Sequence, residues 1–234
     1  MFSIMAAADS LRLRFASSLL SVLPGPSEAH LATEWPELDA ALPDQGFPKG
    51  VVELAAPLSL GGGTSIALAA VRAAQRRDAR AWCAWIDSEG TLYGPGAARV
   101  GVDLDRLLVV RPPRSEIGRV AVKIAEARAC EVIVVDAAPF VAPSRSSKRG
   151  LSSEVLIRKL SLAAKQGGAT VLLLTDSLAP RAVPWAVALR LELGRAPGHL
   201  VVKVAKDQRG RVGGPKSIVP MKTRPIAPIW EEVG

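Results

Sequence analysis

GVVELAAPLSLGGGTSIALAAVRAAQ, running from Gly50 to Gln75, is the stretch whose reading decides the fold. Val51 to Ala55 is an apolar run of strand length, the glycines at 61, 62 and 63 make a turn, and Thr64 to Arg77 has the alanine-rich composition of a helix. Strand, glycine turn and helix in that order form a phosphate-binding loop, in which backbone N–H groups and the positive end of the helix meet an anion. The usual pattern is G-x-x-x-x-G-K-[ST], yet Ala56 stands at the first glycine and Gly63 stands where the lysine belongs. The cradle is kept and its cation is missing. Gly61, Gly62, Gly63, Thr64 and Ser65 thus make a degenerate nucleotide-binding set, able to offer an anion backbone donors and a helix dipole.

Working outward, the periodicity predicts strands at 81–86, 107–110, 132–136 and 170–174, with helices at 31–42, 94–100, 115–129 and 151–166 between and before them. Val132 to Val135 are four β-branched residues followed by Asp136, as in the central strand of a parallel sheet. Val187 to Leu193 and Leu200 to Ala205 read as strands with no long helix between them, an antiparallel extension at one edge. The expected fold is an α/β core with a mainly parallel twisted sheet flanked by helices. Ligands in such folds sit beyond the carboxyl ends of the strands, where Gly61 to Ser65, Asp87, Glu89, Asp136 and Ser177 all fall. The organisation expected is an N-terminal helix and linker (1–26), a core (27–205), and a basic, partly irregular tail (206–234).

The chain has 234 residues, enough for one sizeable core. Its net charge of +8 favours polyanionic or acidic partners without proving DNA binding. Cys83 and Cys130 lie in apolar segments and read as buried thiols of a reducing compartment, and no zinc spacing is present. Asp9, Arg12 and Arg14 interrupt the N-terminal apolar run before it reaches the length of a secretory core, and no segment approaches the roughly 18 apolar residues of a membrane span. The expectation is a cytoplasmic protein without membrane contact.

LATEWPELDAALPDQGFPKGVVEL, WIDSEG, GVDLDRLLVVRP, VIVVD and VVKVAKDQ occur in the order of the landmarks of the RecA recombinase core, and the stretch from Leu31 to Gln208 resembles that family. Within the RecA-like group, the short length, altered loop and basic tail are most similar to ImuA, a family of accessory proteins of bacterial mutagenic translesion synthesis. The resemblance implies a RecA-like core. It gives Glu89 the place of the water-activating glutamate, here vestigial or weak, and Asp136 that of the acid holding magnesium through its water shell. Thr64 or Ser65 falls at the magnesium-ligating hydroxyl. Lys206 falls at one of two lysines that reach across a filament interface, Gln208 replaces the other, and Asp176 and Ser177 replace an Asn-Gln nucleotide sensor.

Of the two DNA loops of the RecA family, the first matches Pro143 to Gly150, where Arg145, Lys148 and Arg149 could track phosphates. The second has only LAPRAVPW for its length. Lys203, Lys206, Arg209, Arg211, Lys216, Lys222 and Arg224 form the densest basic region, followed by an apolar anchor that includes Trp230, and they read as DNA or partner contacts. The function implied is an ATPase-deficient accessory protein in DNA-damage tolerance. It requires no cofactor, binds ATP and magnesium weakly if at all, and has as partners RecA, an ImuB-like polymerase-family protein and single-stranded DNA. Two alternatives are a DNA-stimulated ATPase with an atypical loop and a SulA-like cell-division inhibitor.

Overall fold

A computed structural model describes residues 30–57, 62–136, 153–178 and 186–221. The expected N-terminal helix and linker (1–26) lie outside them. The elements are α1 (Pro36–Asp39), β1 (Gly50–Ala56), α2 (Gly63–Arg77), β2 (Trp82–Ile86), α3 (Gly94–Arg99), β3 (Leu107–Val110), α4 (Ile117–Glu126), β4 (Cys130–Asp136), α5 (Ser153–Gly167), β5 (Thr170–Asp176), β6 (Leu189–Ala196), β7 (His199–Asp207) and β8 (Lys216–Ile218). The eight strands form one sheet in the order β3-β2-β4-β5-β1-β6-β7-β8. Strands β3 to β6 in that order run parallel, whereas β7 pairs antiparallel with both β6 and β8. The fold is therefore the α/β core with an antiparallel edge that the strand pattern predicts.

Strand alternation sorts the core into two layers. One face carries Val52, Leu54, Cys83, Trp85, Val134, Leu172 and Leu191, and it is covered by α2 and by the entry segment through Leu31, Trp35, Leu38 and Phe47. The other carries Val51, Ile86, Ile133, Val135, Val171 and Leu173, and α4 and α5 cover it with Ile117, Ala121, Ile157 and Leu160. Alanines along α2 let its axis approach the sheet closely, and eleven of its residues, from Gly63 to Gln75, are buried.

Three segments differ from the sequence expectation. The helix expected at 31–42 shrinks to α1, because Leu31 and Phe47 exchange backbone hydrogen bonds of 2.9 and 2.8 Å as an isolated bridge. Gly46 is required beside that bridge, since a Cβ there would stand 2.8 Å from backbone atoms of Leu31. The helix expected at 115–129 begins as a 3-10 turn at Arg114–Glu116 and ends at Glu126. Beyond Lys206 the chain adds β8, whose Ile218 is buried, so part of the expected irregular tail is sheet.

Arg72, in the middle of α2 and 8% exposed, ties these pieces together. Its guanidinium donates to the carbonyls of Thr33 (3.4 Å), Glu34 (3.3 Å) and Val100 (3.4 Å), and Nη1 lies 3.1 Å from Met221 Sδ. Burial pushes its pKa down from the usual arginine value. Arg76 pairs with Glu34 at 2.9 Å, and Trp35 Nε1 donates to Val219 O at 3.0 Å. We predict that Arg72→Ala, which leaves three carbonyls without this donor and opens a cavity beneath the entry segment, costs about 2–4 kcal/mol. Urea unfolding checks this, and a change under about 0.5 kcal/mol would remove Arg72 from the role of tie.

Candidate functional site

The glycine loop leaves β1 beside β5, where Ser177 N donates to Ala56 O at 3.0 Å. Gly61 lies outside the described residues. Gly62 has φ +99°, in the region that favours glycine, and a Cβ there would come 2.6 Å from Leu200 Cδ1. Gly63 opens α2 and is buried; a Cβ added to it would contact Leu174 Cδ2 at 3.5 Å, Leu193 Cδ1 at 4.0 Å and Leu54 Cβ at 4.0 Å. The position of the expected lysine therefore starts from a seat of leucines supplied by β1, β5 and β6, with Leu200 of β7 beside it. An ammonium starting there must leave apolar surroundings before it finds a polar partner. Thr64 and Ser65 are exposed on the first turn of α2.

The acids at the carboxyl edge are mostly committed to local structure. Asp87 is fully buried: Oδ1 accepts from Thr91 N at 2.9 Å and Oδ2 from Leu92 N at 3.0 Å, which folds the loop after β2. The Thr91 hydroxyl lies 3.3 Å from Asp87 Oδ1 and 3.4 Å from Asp136 Oδ2, and its one proton serves one acid at a time. Asp136 thus stands at the end of β4 next to the same loop. Glu89 accepts two hydrogen bonds of 2.7 Å from Nε and Nη2 of Arg114, and this bidentate pairing, with smaller help from Ser88, holds its carboxyl below the usual range. Asp176 caps its own turn by accepting from Leu178 N at 2.9 Å. Among the described residues, these groups differ from the expected nucleotide and magnesium set in three ways. Glycine stands in place of the phosphate cation with leucines around it, one acid is buried in a loop, and the expected base is paired with an arginine.

The basic residues are likewise engaged. Lys203 Nζ pairs with Glu192 at 3.1 Å, and Lys206 lies on β7 opposite Arg190. Arg211 makes a two-point pair with Asp44 at 2.7 and 2.7 Å and reaches Asp207 through Nε at 2.8 Å. Arg209 Nη1 stands 3.6 Å from Asp44, and Lys216 Nζ donates to Ala40 O at 3.0 Å. Arg211 therefore staples the loop after β7 to the entry segment. Arg145, Lys148, Arg149, Lys222, Arg224 and Trp230 lie outside the described residues.

Sequence reading missed Arg114, Asp44, Arg190 and Glu53. Glu53 is 1% exposed within β1, accepts from the Thr175 hydroxyl at 2.8 Å and faces Arg190 at 3.8 Å. An acid inside the run VVELAA was a visible signal, because a buried strand carboxylate needs partners on neighbouring strands. Nothing local marks Asp44 or Arg114, whose partners lie 167 and 25 residues away. Burial pushes the Cys83 thiol up to about 12, so it is a core residue rather than a nucleophile. Among the described residues, no group of His, Cys, Asp and Glu could hold a metal ion, and no helix is long and apolar enough to cross a membrane.

Comparison with known proteins matches residues 28–166 to the RecA N-terminal domain. Protein RecA of Streptococcus pyogenes is 39% identical over 108 residues, which cover 45% of this chain and 28% of that protein. Protein RecA of Streptococcus pneumoniae is 39% identical over 108 residues, which cover 45% of this chain and 27% of that protein. The match thus spans little more than a quarter of those relatives' length.

The Arg211 hydrogen bonds, helped by His30 and Arg209, lower the Asp44 pKa from 3.8 to about 2 against the opposing effect of burial. A depressed folded-state pKa stabilises above the unfolded value and loses that stability as protons bind. We predict that about 1–2 kcal/mol is lost between about pH 4 and pH 2 through this carboxyl, and that Asp44→Asn removes most of the dependence. Thermal unfolding across that pH range checks it; parallel losses in wild type and variant would assign the acid sensitivity elsewhere.

Proposed function

The chain belongs to the RecA N-terminal domain family, and from that premise we propose that it is an ATPase-deficient accessory protein of DNA-damage tolerance, of the ImuA kind. One observation carries the reading: Gly63 stands at the place of the phosphate-binding lysine, on a seat of Leu54, Leu174 and Leu193 that offers no cation. Phosphoryl transfer depends on positioned positive charge, and loss of a transition-state cation of the arginine-finger type removes about 10³ to 10⁵ in rate. A body with the RecA shape and no matched nucleotide chemistry is suited to joining or capping a RecA assembly without following its ATP cycle. The partners proposed are RecA, an ImuB-like polymerase-family protein, and single-stranded DNA approached through the basic residues at 145, 148 and 149 and the tail. Engagement of Arg211 by Asp44 and Asp207 favours a structural role for that arginine, and it shifts the proposed contacts towards the residues beyond 221.

The expected outcome is magnesium-dependent ATP turnover at background level, with or without single-stranded DNA, and unchanged in Glu89→Gln. Retained binding to RecA or to the polymerase-family protein in a pulldown completes the expectation. Turnover that falls about 100-fold or more in Glu89→Gln would overturn the reading in favour of a DNA-stimulated ATPase, because a positioned general base contributes about 10² to 10⁴ in rate.

A further inference from the structure

We propose that Arg114 is an internal latch that holds Glu89 out of acid–base chemistry, a loss of function separate from that of the lysine. The inference rests on the reading of the chain as a RecA-family protein without working nucleotide chemistry, and it names a second device that enforces it.

The geometry is that of two preformed partners. On one side, the loop after β2 is fixed from within, since Asp87 takes the N–H groups of Thr91 and Leu92 and Asp87 N itself donates to Val110 O at 2.9 Å. Glu89 sits at the tip of that loop. On the other side, Arg114 follows Pro112 and Pro113, whose rings restrict the backbone, and opens a 3-10 turn in which Glu116 N donates to Pro113 O at 2.8 Å. That turn runs directly into α4, whose first residue, Ile117, is fully buried. The guanidinium and the carboxylate meet as two parallel N–H···O bonds of 2.7 Å. Exposed ion pairs are usually weak because two long side chains must be ordered; here both backbones are already fixed, and the fork matches the carboxylate at two points.

Among the described residues, Glu89 has no other partner of comparable geometry. Ser88 Oγ stands 3.2 Å from Oε1, Arg111 Nε is directed at Asp87 at 4.0 Å, and Asp136 lies against Thr91. A general base needs a lone pair turned to the reacting proton and a pKa near the working pH. Both Glu89 oxygens accept from Arg114, and the pairing also lowers the carboxyl's pKa. The missing lysine acts at the start of α2 and the latch acts at the ends of β2 and β3, so neither follows from the other.

The test uses the full chain and the variants Arg114→Ala, Arg114→Lys, Gly63→Lys and Gly63→Lys/Arg114→Ala. Lysine at 63 is admissible because its Cβ would make only ordinary contact, 3.5 Å from Leu174. Carbon-13 NMR of the glutamate carboxyls is the first readout. Glu89 is expected to titrate below the ordinary glutamate value of about 4.3 in the wild type. It should return to that value in Arg114→Ala and go part of the way in Arg114→Lys, whose point charge lacks the fork. The same titration point in wild type and Arg114→Ala would overturn the latch. Magnesium-ATP turnover is the second readout, with the double variant expected at about tenfold or more above Gly63→Lys; equal measurable rates would also overturn it. If neither lysine variant turns over ATP, the titration decides. Wild-type turnover that collapses in Glu89→Gln would sink the inactive-scaffold reading itself, a result distinct from either outcome for Arg114.

Discussion

The seating of α2 on a floor of leucines is the contact on which the rest of this structure depends. Leu54, Leu174 and Leu193 come from three strands that the parallel register brings together, and Leu200 adds a fourth from the antiparallel edge. Leu200 needs a partner without a side chain at the helix entrance, and Gly62 supplies it. In return the helix lies close enough to bury nearly its whole length against β1, β2, β4 and β5. The same apolar floor makes the entrance a poor place to anchor a cation. The close seating of the helix and the apolar character of its entrance thus rest on the same leucines.

Much of the fold was legible because its signals are local. Val132 to Val135 followed by Asp136 could be little other than a buried parallel strand, and the glycine cluster followed by alanines marked the turn into α2. The edge strands were readable from alternation, Leu189, Leu191 and Leu193 against Arg190 and Glu192. What could not be read was the work of long-range ion pairs. Arg211 looks like one more charge in a basic run, and only the folded chain shows it gripping Asp44 from the other side of the sequence. Arg114 sits in a proline-bounded turn with no motif around it, yet it decides the state of Glu89. Residue types at the carboxyl edge were predicted; which of them spend their hydrogen bonds on one another depends on distances that a sequence does not contain.

Charge in this protein is organised in rows. On the sheet face beyond α5, the Thr175 hydroxyl, Glu53, Arg190, Glu192 and Lys203 alternate across β5, β1, β6 and β7, with spacings of 2.8, 3.8, 3.6 and 3.1 Å. The strand register sets this order, because Glu53 lies opposite Arg190 and Glu192 opposite Lys203. Glu53 is buried and would be costly alone; Thr175 and Arg190 keep its charge tolerable within the sheet. Much of the described core's arginine and lysine is thus answered by carboxylates, and a count of basic residues overstates how many face solvent unpaired.

The tie between the entry segment and the last described residues also has a consequence for how the chain is made. Trp35 and its partner Val219 lie 184 residues apart, and Arg72 and Met221 lie 149 apart. At about 5–20 residues per second on the ribosome, the first of these gaps takes roughly 10–40 s to synthesise. For that interval α2 and the entry segment can pack on each other but lack the strand and backbone groups that close them over. Completion of the fold thus waits until residues 219 to 221 have been made, and in that interval the seam over α2 and the entry segment stays open.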